Sequence, residues 1–109
     1  MTLWHKNLES RFSGLPTHQQ IIMVTNELNR ANHQQNNTSE YKASLERALE
    51  LLDFIIDDKA KWDRKYRELL RARQYLALLY INAETYTETT LLQRTLIQMD
   101  PVAASMLKV

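Results

Sequence analysis

The sequence predicts an all-α fold, a compact antiparallel bundle of four to five helices in a single domain spanning residues 1–109. Three observations carry that expectation. The chain holds one Gly and two Pro, and none of them lies between Thr17 and Asp100; a β protein needs such turn residues at short intervals. Apolar residues recur at spacings of three and four through most of the chain, which is the helical period. Hydrophobic residues make up 44% of the chain and charged residues 25%, the balance of a globular rather than a disordered protein.

The first helix is expected over 3–12. Thr2 is its cap, Leu3, Trp4, Leu8 and Phe12 share one side, and Ser13-Gly14 ends it. Gly14 suits the left-handed position that follows many helices. Leu15-Pro16 is a connector. A second helix is expected over 17–33, opened by the capping-box spacing of Thr17 and Gln20 and striped by Ile21, Val24, Leu28 and Ala31. It should fray at His33, because the amide tract 32–37 is a poor helix interior.

The third helix, 39–57, carries the cleanest stripe: Tyr41, Leu45, Ala48, Leu49, Leu52, Ile55 and Ile56 hold to one face. Asn37 and Glu40 have capping-box spacing at its start. Lys42, Glu46 and Glu50 belong to its outer side. Its Tyr, Ala and Leu cadence loosely resembles one helix of a tetratricopeptide repeat, in a single copy with no internal repeat elsewhere.

The join at Asp57-Asp58 is read as a break near 57–61. Two Asp oppose the dipole at a helix C-terminus and favour it at a new N-terminus. An unbroken helix over 39–82 would be about 66 Å long, against a radius of gyration of about 13 Å for a compact chain of this length. A fourth helix follows over 61–82, with Trp62, Tyr66, Leu69, Leu70, Leu76, Ala77 and Tyr80 on a wide apolar face. Asp63–Arg67 and Arg64–Glu68 are spaced for surface ion pairs. Its end, Tyr75 to Ile81, is apolar on nearly every side and is expected at the least exposed point of the bundle. A fifth helix over 86–99 has Thr85 and Glu88 at capping-box spacing. A short turn over 101–107 opens with Asp100-Pro101 as cap and first helical position.

Function is bounded mainly by what the residues exclude. No Cys rules out disulfides and thiolate chemistry and fits a reducing compartment. The amino terminus has no basic segment followed by an apolar run, and no apolar stretch is long enough to cross a bilayer. A cytoplasmic location and no membrane partner are therefore expected. No glycine-rich phosphate loop is possible with one Gly. His5 and Glu9 have a spacing that can bind metal, but no third ligand stands near them in the sequence. Arg11 and His18 are separated by Gly14 and Pro16 and do not share a helix face. No catalytic set, metal or cofactor is expected.

Two function classes lead, ahead of an enzyme with a buried polar site around His5, Glu9 or Asp57. The apolar positions of the third and fourth helices exceed what a very small bundle readily hides. That favours a non-enzymatic interaction module with a protein partner or a second copy of itself, a homodimer. Leu45, Leu49, Leu52, Ile56, Tyr66, Leu70, Leu76 and Tyr80 are its core or interface candidates. The alternative is a nucleic-acid-associated domain or the helical partner subunit of a separate enzyme. The run Lys59 to Arg73 is basic, and Arg64, Arg67 and Arg71 share a helical-wheel face, the pattern of a ridge that contacts phosphates.

Overall fold

Among the described residues, four helices of nine residues or more carry the architecture. They are α2 (Thr17–Asn32), α3 (Thr38–Asp57), α5 (Tyr66–Ile81) and α6 (Thr90–Gln98). Shorter helices α1 (Glu9–Ser13), α4 (Lys59–Trp62) and α7 (Pro101–Leu107) flank them, and a 3-10 turn covers Asp63–Lys65. The computed structural model describes residues 9–107. The roles expected of Thr2, Leu3, Trp4, His5 and Leu8, and of the Glu9 side chain, lie outside the described residues. Among the described residues there is no strand, so the chain is an all-α helical bundle.

α3 is the central helix. It packs against α1, α2, α4 and α5, while α2 packs against α3, α6 and α7. The expected stripe Tyr41, Leu45, Ala48, Leu49, Leu52 and Ile55 is buried, and so are Leu51, Phe54 and Glu50 outside it. Glu50 therefore does not lie on an outer face as the stripe alone suggested, because α3 is covered on more than one side. Phe12 reaches the same core from α1, its ring 5.9 Å from that of Phe54.

The start of α3 follows its sequence signal: Asn37 Oδ1 accepts from the Glu40 backbone N–H at 3.2 Å. The start of α2 does not. Pro16 occupies the cap position and no side chain caps the helix. The Thr17 hydroxyl instead donates to Asp100 at 2.5 Å, and Gln20 turns back to donate to the Phe12 carbonyl at 2.6 Å. Both side chains make tertiary bonds in place of local ones. Gly14 is also not left-handed; the turn closes through Gly14 N–H to Arg11 O and Leu15 N–H to Phe12 O.

The chain breaks at Asp58, where φ −102° and ψ 58° leave the helical region. It breaks a second time at Asp63, whose φ of 43° is the one positive value among the described non-glycine residues. Lys61 holds the segment between these breaks in place, donating to the Ser13 carbonyl at 2.9 Å and to the Leu15 carbonyl at 2.5 Å. With 63 and 64 rotated off the α5 axis, the expected Asp63–Arg67 and Arg64–Glu68 pairs do not form. The two breaks keep the longest dimension at 36 Å and the radius of gyration at 13.1 Å.

The connector from α5 to α6 covers 82–89, and α6 begins at Thr90 rather than near 86. Polar side chains pin the connector to α2 and α3, which is why the Thr85–Glu88 spacing does not open a helix. The Tyr41 hydroxyl donates to Thr87 O at 3.1 Å and accepts from Thr87 N–H at 3.3 Å. The Tyr86 hydroxyl lies 2.6 Å from Asn32 O. Asn32 Oδ1 accepts from Thr89 N–H, and the buried Thr89 hydroxyl donates to Leu28 O at 2.7 Å. Burial pushes the Tyr41 phenol above its ordinary value.

Asp100 is the last joint and behaves as its sequence suggests. Its Oδ1 accepts from the N–H groups of Val102 and Ala103 at 2.9 and 3.1 Å, capping α7. Burial pushes this carboxyl up. The hydrogen bonds from Thr17, Ala103 and Val102, with the nearby Lys65 charge, outweigh burial and hold it below the ordinary carboxylate value.

Candidate docking surface

α5 is covered on one side only. Leu69, Ala72, Leu76 and Leu79 recur at three and four and face the core. α5 packs mainly on α3 and only marginally on α6, because α6 lies against α2. An open cleft of about 450 Å³ therefore separates α5 from α6. Ala72, Tyr75, Leu91, Leu92 and Met99 make its apolar lining, with Glu68 and Arg71 at one margin.

Apolar side chains of this cleft and of the rest of α5 are not hidden. Leu91 is 70% exposed, Ile81 74%, Leu78 56% and Tyr75 42%. This overturns the expectation that Tyr75 to Ile81 is the least exposed stretch. Leu76 and Leu79 are buried, but apolar residues on nearly every side of a helix need neighbours on every side, and α5 has them on one.

The core and interface candidates divide accordingly. Leu45, Leu49, Leu52 and Leu76 are buried, and Ile56, Tyr66 and Tyr80 are half-buried. Leu70 is 41% exposed on the outer side of α5. Leu78, Ile81 and Leu91 belong to the apolar surplus of the sequence but not to its core and interface candidates. The available signal was the excess of apolar positions in 75–81 over one helix face.

Arg64, Arg67 and Arg71 are all exposed. Arg64 sits in the 3-10 turn, and Arg67 and Arg71 lie four apart on the outer face of α5. Of the aromatic residues near the basic run, Tyr75 is exposed beside Arg71, and two others are engaged. Trp62 is buried, and the Tyr66 ring lies under Lys59 Nζ at 5.0 Å. Arg73 is engaged with Asp53 at 3.0 Å.

Charge is unevenly placed along the surface. Its end at the start of α5 carries Arg64, Arg67 and Arg71 against Glu68. Its other end, from Gln74 through the 82–89 connector, carries only Glu84 and Glu88, both exposed. No ion pair engages any of these six residues among the described residues.

No group of three or more His, Cys, Asp or Glu among the described residues is placed to hold a metal ion. No helix among them is long and apolar enough to cross a membrane. The chain matches no protein-family model, no curated protein and no solved structure.

Proposed function

We propose that this chain is a non-enzymatic helical interaction module that self-associates through the outer surface of α5 and α6. The observation that supports this reading is the exposure of Tyr75 and Leu91 at an open apolar cleft, with Leu78 and Ile81 exposed further along α5. Large apolar groups gathered on one surface mark interaction sites more often than scattered ones do. A cytoplasmic setting is part of the proposal, supported by the cysteine-free sequence.

Sedimentation equilibrium tests it. The average mass of the wild-type chain rises with concentration. A Leu78→Asp, Leu91→Asp variant stays monomeric with an unchanged helical circular-dichroism spectrum, since both side chains are solvent-facing. A wild-type chain that is monomeric throughout the millimolar range ends the self-association reading.

A second reading, nucleic-acid association, is favoured by the three exposed arginines. It predicts binding to RNA or DNA that weakens with salt and is lost in an Arg64→Ala, Arg67→Ala, Arg71→Ala variant. No binding at low salt removes it. It is the lesser reading, because Tyr75 is the one exposed aromatic beside these arginines among the described residues, and a stacking platform takes several.

A further inference from the structure

The α5–α6 surface is complementary to itself when turned end for end. Its basic end holds Arg64, Arg67 and Arg71 against a single Glu68, its middle holds Tyr75 and Leu78, and its acidic end holds Glu84 and Glu88. A two-fold axis places the same patch on both copies in opposite directions. Such an operation lays the basic end of one copy on the acidic end of the other and leaves the apolar middle on the axis.

We propose that a second copy of this chain docks on this surface with the two α5 helices antiparallel, Tyr75 of each copy facing Leu78 of the other, and Arg67 and Arg71 of each facing the Glu84–Glu88 connector of the other.

The axial spacings agree with this register. Arg71 precedes Tyr75 by one helical turn, about 6 Å at 1.5 Å per residue. Asn82 follows Leu78 by the same distance, so Arg71 falls at the start of the opposing connector. Arg67 lies one turn further out, beyond Arg71. In the parallel arrangement, arginines would face arginines and glutamates would face glutamates. The division of labour is that of ordinary interfaces, with an apolar centre holding the copies together and a charged rim selecting orientation. The charged groups are available for it, since none of the four has an ion-pair partner among the described residues.

This inference rests on the self-association proposed above, and charge reversal separates the two. An Arg67→Glu, Arg71→Glu variant sets acid against acid at both ends of the dimer. A Glu84→Lys, Glu88→Lys variant sets base against base. Each is expected to weaken self-association at least roughly tenfold at low salt. An equimolar mixture of the two double variants associates again, and the quadruple variant recovers wild-type association. All four positions are exposed, and circular dichroism checks that each variant is folded.

Self-association that is indifferent to both reversals overturns this register while leaving self-association standing. The same holds if the mixture fails to recover while the single partners are weakened. A wild-type chain that stays monomeric overturns both proposals together.

Discussion

α3 and α5 are both amphipathic helices, yet they end in opposite surroundings. α3 meets neighbours on several sides and buries even Glu50. α5 meets α3 along one face and leaves four large apolar side chains in solvent. The difference lies in the connections. The 82–89 connector is tied to α2 and α3 through Tyr41, Tyr86 and Thr89. It therefore delivers α6 onto α2 instead of folding it tightly against α5. A helix is covered according to where its successors are led, and its own pattern does not decide that.

The largest effect expected of this contrast is in the core. Leu52→Ala on α3, at a fully buried position, should lower stability by about 2–5 kcal/mol. Leu78→Ala on α5 should stay within about 0.5 kcal/mol of wild type, both measured by urea unfolding at a protein concentration where the chain is monomeric. Equal losses would mean that α5 is covered as fully as α3.

The next test concerns the joint that positions α6 and α7. Asp100→Ala removes a helix cap and the tertiary bond from Thr17, and should cost about 2 kcal/mol. The Asp100 carboxyl is held below its unfolded value, so its contribution is complete above that value, about 3.9. It is lost as pH falls through the lower, folded value. Asp100→Asn should therefore flatten the acid side of the stability–pH curve, and an unchanged acid limb would count against the Thr17–Asp100 joint.

The smallest effect is expected at Gly14. Its φ is not positive, and an added Cβ would meet only Arg11 O, at an ordinary 3.6 Å. Gly14→Ala should be neutral or stabilising by up to about 1 kcal/mol, read from the same unfolding curves. A clear loss would show that the α1–α2 turn needs glycine after all.

The helices themselves were readable in advance because their signals are local. The period of Tyr41 to Ile55, the Asn37 cap, the break at Asp57-Asp58 and the Asp100-Pro101 start all act within a few residues of chain. The docking surface was readable only in part. The exposure of Arg67 and Arg71 follows from their wheel positions, Arg64 being exposed in the 3-10 turn instead, and the excess of apolar residues in 75–81 was visible. Which of those residues remain uncovered was not, because that depends on where α6 lies. The Thr17–Gln20 and Thr85–Glu88 spacings misled for a related reason. Their side chains or neighbours found partners 8 to 83 positions away, and a buried tertiary hydrogen bond displaced a solvent-exposed cap.

The sequence by itself determined that this chain is helical, where α3 begins and ends, and that its apolar content exceeds one face of its fourth long pattern. Only the tertiary structure decided that α3 is central, that Lys61 fastens α4 to the α1–α2 turn, and that α5 presents Tyr75, Leu78 and Ile81 outward. Helix formation is settled by hydrogen bonds and side-chain spacings within four residues. Burial is settled by which distant segments arrive, and that information is spread over the whole chain.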